Sequence, residues 1–141
     1  MQHSPLHATS VAFDGAAVLI CGKAGAGKSS LALDLISRGA LLVSDDRTVL
    51  HDKDGHLIAA APPTITGMIE ARGVGLLRVP TAGPTPIRFA IDLDQTETQR
   101  LPPRRTMPLM GHDLPCLWRV AGPQFPAAVL LCLAHGIPEP T

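Results

Sequence analysis

Aromatic residues are scarce in this chain: three Phe, one Trp and no Tyr among 141 residues. So few flat rings exclude an aromatic platform for stacking single-stranded nucleic acid. An excess of one charge is lacking too. Lys+Arg and Asp+Glu both number 12, for a net charge of zero with His neutral. Nothing in that balance marks a nucleic-acid or anionic-membrane partner. The three cysteines, Cys21, Cys116 and Cys132, are far apart and form no C-x-x-C. They read as free thiols in a reducing compartment. No apolar run reaches the roughly 20 residues of a membrane span. The N-terminal Met1-Gln2-His3-Ser4-Pro5 is polar, without the apolar core of a signal peptide. A soluble, cytoplasmic protein is expected.

Proline and glycine, by contrast, are plentiful at fourteen and thirteen. They predict many turns and short elements. With 45% hydrophobic residues, the chain has material for one core, and residues 1–141 read as a single domain.

The most informative segment is Gly22-Lys23-Ala24-Gly25-Ala26-Gly27-Lys28-Ser29, which spells G-x-x-x-x-G-K-S. The apolar run Ala17 to Cys21 leads in as a strand, and Ser29 to Ile36 leads out as a helix. That context is what a phosphate-binding loop needs. Glycines let backbone N–H groups turn inward around phosphates, and the helix aims its positive end at the same anion. Lys28 is expected at the β- and γ-phosphates, with the Ser29 hydroxyl on Mg²⁺. Ser30 completes the candidate phosphate site.

Around this loop the pattern predicts an α/β fold rich in antiparallel hairpins. His7 to Phe13 reads as a strand, and Asp14-Gly15 turns it back into the strand before the loop. The helix ends at Arg38-Gly39, where glycine suits the cap. Ala40 to Val43 reads as a buried strand parallel to the phosphate-loop strand. Arg47 to His51 and His56 to Ala60 form a second hairpin. Its Asp52-Lys53-Asp54-Gly55 begins like a calcium loop, but Pro63 stands where a bidentate Glu is needed. Gly67 to Val79 reads as a strand-like run and Ile87 to Leu93 as a strand. Asp94 to Arg105 reads as an exposed, mobile loop. Leu114 to Val120 is the last expected strand, and Pro126 to Ala134 a short helix with proline in its first turn.

Candidate chemistry lies outside the loop as well. Asp45 and Asp46 end an apolar strand, where a phosphate-loop protein places a carboxylate for Mg²⁺. Two adjacent aspartates offer two jobs, one at the metal and one accepting a hydroxyl proton; the bland alternative is a solvated strand end with a turn. Glu70 and Arg72, two apart on a strand, are expected on one face, where one suits a metal and the other a phosphate oxygen. Taken alone, that pair reads first as a local ion pair at a strand start. His7 has no partner in its own segment and, alone, reads as a surface histidine. Arg100, Arg104 and Arg105 read as a solvated loop face or as a source of mobile cation for a developing phosphoryl charge.

Together these pieces resemble the bacterial HPr kinase/phosphorylase family, from His7 to about Ala134. The histidine-led strand, the phosphate loop, Arg38-Gly39, Val43-Ser44-Asp45-Asp46 and Glu70-x-Arg72-Gly73-x-Gly75 carry the likeness. The resemblance implies a carboxykinase-like phosphate-loop fold. It implies an ATP- and Mg²⁺-dependent kinase acting on a serine of the phosphocarrier protein HPr. Phosphorolysis, with inorganic phosphate as acceptor and pyrophosphate as product, is implied as the reverse activity. By position, Lys28 and Ser29 hold phosphate and metal, Asp45 and Glu70 serve the metal, and Arg72 serves the phosphate. Asp46 is the base toward the serine, His7 assists at the acceptor, and Arg100 steadies the transferred group. A homo-oligomer, hexameric by family analogy, is implied.

Three departures from the family pattern qualify the likeness. The chain starts almost at the catalytic domain, like a short form. Lys23-Ala24 replaces an acidic residue and a serine, which predicts a weaker phosphorylase. The C-terminus is short. The rival readings are a phosphate-loop kinase of a small metabolite and a nucleotide-binding regulator without turnover.

Overall fold

The computed structural model describes residues 5–64 and 67–139. Met1 to Ser4, part of the polar N-terminus read from sequence, lie outside the described residues.

Apolar strands alternate with tight two-residue turns, and these set the architecture. β1 (Ala8–Phe13) and β2 (Ala16–Cys21) pair antiparallel across Asp14-Gly15. Both turn residues have positive φ, 55° and 79°, which is the type I′ geometry that matches strand twist. The same device joins β4 (Val49–Lys53) to β5 (His56–Ala60) through Asp54-Gly55. It also joins β9 (Arg105–Leu109) to β10 (His112–Arg119) through Met110-Gly111.

β2 feeds α1 (Lys28–Ser37). Gly39, at φ 112°, ends the helix: its N–H bonds to Ile36 O at 3.0 Å and the Ala40 N–H bonds to Leu35 O at 3.1 Å. β3 (Leu41–Ser44) then returns to the sheet. β6 (Met68–Ala71) and β7 (Gly75–Arg78) form a separate two-stranded ribbon. The single strand-like run expected over Gly67 to Val79 is therefore a hairpin, turning through Arg72-Gly73-Val74. Gly73, at φ 83°, supplies the backbone freedom for the turn.

β8 (Thr85–Thr96) is the longest strand, and α2 (Phe125–His135) closes the chain. The main sheet runs β3-β1-β2-β8-β10-β9, with the β4–β5 hairpin joined to it through β5 and β8. β8 is parallel to both β2 and β10. β3 points the same way as β2, as expected, but β1 lies between them. The parallel neighbour of the phosphate-loop strand is β8.

This arrangement covers β2 on both faces. Val18 and Ile20 face the helices, beside Ala32, Leu35, Phe89, Ile91, Val129 and Leu133. Leu19 faces the other way, toward Leu50, Leu57, Ala90 and Leu114. Period-two alternation with both faces covered accounts for the unbroken apolar run. Among the described residues no helix is long and apolar enough to cross a membrane.

The carboxyl ends of parallel β2, β8 and β10 meet at one edge of the sheet. In α/β sheets that edge is where ligands bind.

Candidate active site

The loop from Gly22 to Gly27 links β2 to α1 and is built on backbone only glycine tolerates. Gly25 and Gly27 have φ of 83° and 101°. Gly22 is pinched: a Cβ there would lie 3.0 Å from Ala26 Cβ and 3.2 Å from Leu93 Cβ. No side chain caps the N-terminus of α1, so its first N–H groups stay available to an anion. Lys28 Nζ donates to Gly22 O at 2.7 Å and to Lys23 O at 3.2 Å. The lysine folds over the loop with its ammonium at the loop mouth.

Beside the loop, Asp45 organises a small polar network. Its Oδ1 accepts the Ser29 hydroxyl at 2.6 Å and the Thr9 hydroxyl at 3.1 Å. Its Oδ2 accepts the Glu70 N–H at 3.2 Å. The three contacts tie together the start of α1, strand β1 and strand β6. Thr9 Oγ1 also accepts the Asp46 N–H at 3.0 Å. Asp46 itself stands at φ 67°, in the left-handed region that aspartate visits more readily than most residues.

These elements enclose a cleft of about 260 Å³ lined by Ala24, Gly25, Gly27, Lys28, Ser29, Ser30, Asp46, Glu70 and Arg72. Sequence reasoning expected every one of these residues in the site. Gly22, Lys23 and Ala26 shape the loop without lining the cleft. Asp45 stands behind Ser29 instead of on the cleft wall. Glu70 is on β6, whereas Arg72 lies past the strand end, in the hairpin turn, so turn geometry and not strand alternation brings both to the cleft. His7 is exposed, just ahead of β1, and does not line the cleft.

Arg100 is exposed on the loop between β8 and β9 and is also absent from the cleft wall. The ends of its loop are well held. Glu97 accepts the Thr98 and Gln99 N–H groups at 3.1 and 3.2 Å. It also takes a two-bonded ion pair from Arg105 at 2.8 and 2.9 Å. The Arg105 guanidinium lies 3.5 Å above the Trp118 ring. The Arg105 bonds hold the Glu97 carboxyl below its ordinary range.

Three residues of the site escaped sequence reasoning. Thr9 is a buried hydroxyl in an apolar strand. Asp94, on β8, accepts the Lys23 N–H at 3.1 and 3.2 Å. Arg119, at the end of β10, donates to Leu93 O at 3.1 Å and to Ala26 O. In each case a polar residue at or near the end of an apolar run was the only available signal.

Among the described residues the side-chain metal donors lining the cleft are all oxygens: the Ser29 and Ser30 hydroxyls and the Asp46 and Glu70 carboxylates. That donor chemistry suits a hard cation such as Mg²⁺. Among the described residues no group of three or more His, Cys, Asp or Glu side chains gathers as an all-protein metal cage, and Mg²⁺ commonly takes part of its shell from phosphates instead.

A mixed α/β sheet thus carries a glycine-rich loop between strand and helix, facing the Asp46 and Glu70 carboxylates, the arrangement expected of the phosphate-loop class. The profile of the HPr serine kinase C-terminal domain matches residues 1–98, and the chain belongs to that family. It is 46% identical over 76 residues to the HPr kinase/phosphorylase of Clostridium beijerinckii, covering 54% of this chain and 25% of that protein. Over 79 residues it is 40% identical to the HPr kinase/phosphorylase of Lacticaseibacillus casei, covering 55% and 25%. The matched stretch thus spans about a quarter of the length of these relatives. The chain is also similar to the solved structure of the Hpr(Ser) kinase/phosphatase from Coxiella burnetii. The TM-score is 0.78 and the identity 27%, over 94% of this chain and 89% of that one.

Proposed function

We propose that this chain transfers the γ-phosphoryl group of ATP to a serine of the phosphocarrier protein HPr, and removes it by phosphorolysis. The observation that carries the reading is the placement of Asp46, Glu70 and Arg72 on the same cleft wall as the phosphate loop. A nucleotide store needs the loop. A transferase also needs a proton acceptor beside the terminal phosphate.

In this reading Lys28, the loop N–H groups and Arg72 hold the phosphates. Ser29 and Glu70 hold Mg²⁺, with Asp45 fixing the Ser29 hydroxyl. Bound Mg²⁺ supplies neutralisation of phosphate charge. The acceptor serine Oγ bonds to the γ-phosphorus as the bond to the β–γ bridging oxygen breaks, and the serine proton passes to the Asp46 carboxylate. In phosphorolysis a phosphate oxygen attacks the phosphoserine phosphorus. Asp46 returns the proton to the leaving serine, and pyrophosphate is released. His7 is assigned to the acceptor and Arg100 to steadying the transferred phosphoryl group. They lie outside the cleft wall, which fits groups that engage only once HPr is bound.

We further propose that this chain forms one catalytic unit and acts in the cytoplasm as a homo-oligomer, by analogy with the family.

The test is mass spectrometry of HPr from the same organism after incubation with the protein, ATP and Mg²⁺, then with added inorganic phosphate. One phosphoryl group on a serine, lost again with release of pyrophosphate, is the expected result. Intact ATP binding with no transfer to HPr would overturn it.

A further inference from the structure

The phosphate loop is gripped from behind by two side chains that do not line the cleft. Arg119 is half-buried at the end of β10, outside the stretch matched by the family profile. Its Nε donates to Leu93 O at 3.1 Å and its Nη2 to Ala26 O. It borders a separate hollow with Gly27, Leu93 and Phe125. Asp94 holds the Lys23 N–H, while the Asp94 N–H is itself held by Asp92 Oδ1 at 3.0 Å.

The peptide unit converts this grip into an orientation. A trans peptide aims its N–H opposite its C=O. With the Ala26 carbonyl drawn back to Arg119, the Gly27 N–H faces the other way, toward the cleft that Gly27 lines. Among the described residues that N–H has no bonded partner. The reverse orientation would turn a carbonyl dipole on the phosphate. Glycine at 27 leaves the backbone free to adopt either state, so the choice falls to the residue holding Ala26 O.

At the other end of the loop the Gly22–Lys23 peptide is fixed on both sides. Lys28 holds its carbonyl and Asp94 its N–H. The crowding of Gly22 against Ala26 and Leu93 brings these two anchor points close together.

We propose that Arg119 is a positioning residue for phosphate binding: its grip on the Ala26 carbonyl sets the peptide orientation that presents the Gly27 N–H to the anion. Asp94 pins the opposite end of the loop. This inference rests on the phosphate-loop reading above but not on HPr as acceptor.

The test uses the full chain, ¹⁵N-labelled, titrated with inorganic pyrophosphate and Mg²⁺. Affinity and the Gly27 amide shift are read in wild type, Arg119→Met, Arg119→Lys and Asp94→Ala. Loss of a charge-assisted hydrogen bond predicts about 10- to 100-fold weaker binding for Arg119→Met, with a displaced Gly27 amide. Lysine keeps the charge but cannot span both carbonyls, so Arg119→Lys recovers only part of the affinity. Asp94→Ala weakens binding by about threefold or more.

Wild-type affinity in Arg119→Met or Arg119→Lys, with the Gly27 amide unmoved, overturns the inference, as does a lowered Tm with unchanged affinity. Should Arg119→Met fail to fold, Arg119→Lys decides alone. A wild-type protein that binds no pyrophosphate overturns the phosphate-loop reading itself, which is a different result from equal binding by all variants.

Discussion

Ser29 donates its hydroxyl proton to Asp45 Oδ1 at 2.6 Å, and so a Ser29 lone pair is left for the cleft. The carboxylate orients a hydroxyl that would otherwise rotate freely. Asp45→Ala strips the Ser29 and Thr9 hydroxyls and the Glu70 N–H of their shared acceptor. A stability loss of about 1–3 kcal/mol is expected, with weakened Mg²⁺–ATP binding. Urea unfolding and calorimetry measure the two effects. Unchanged nucleotide affinity would remove Asp45 from the site.

Thr9 joins the two aspartates, donating to Asp45 and accepting from the Asp46 N–H. Thr9→Val keeps the shape and removes both contacts. Stability should fall by about 1–2 kcal/mol, and HPr phosphorylation should slow by about tenfold or more as Asp46 loses its fixed position. Thr9→Ser should behave as wild type. Steady-state kinetics of the pair separate the hydroxyl from the methyl group.

Asp46→Asn tests the proton acceptor with little disturbance, because asparagine also accepts the left-handed backbone. Transfer should drop by about 10²- to 10⁴-fold while ATP binding persists. Parallel loss of nucleotide binding would count against a base at this position.

Burial, and then the neighbouring Cys116, push the Cys21 thiol from 9.0 up to about 12; burial, then Asp92, push Cys116 to about 11. The folded protein thus holds these protons more tightly than the unfolded chain. The resulting stabilisation is complete below about pH 9 and is lost as the pH rises toward 11 and 12. At pH 8 both cysteines should resist iodoacetamide until urea unfolds the protein, since the thiolate is the reactive form. Peptide mapping of the alkylated sites checks this, with rapid labelling of folded Cys21 as the contrary outcome.

Much of this site is local in sequence, and that part was legible. The loop, the two aspartates and the Glu70–Arg72 pair each sit within a few residues of a strand end. The Asp-Gly turns at Asp14 and Asp54 announced two hairpins. β9 did not announce itself. It contains Pro108, carries no buried residue, and turns at Met110, a residue with no turn preference. The order of strands was hidden for a different reason. β8 lies beside β2 through a contact distant in sequence, and no local pattern encodes that neighbour. The Arg119 and Asp94 grips depend on the same adjacency, so they became visible only when β2, β8 and β10 lay side by side.

The left-handed backbone at Asp46 also narrows the ways this protein can lose its chemistry over time. Asparagine and glycine keep that turn at little cost, and most other residues strain it. Mutational drift that preserves the fold therefore reaches Asn or Gly first. On the proposed function, a lineage that took that step would inherit an intact nucleotide holder, silent as a transferase, available for use as a sensor.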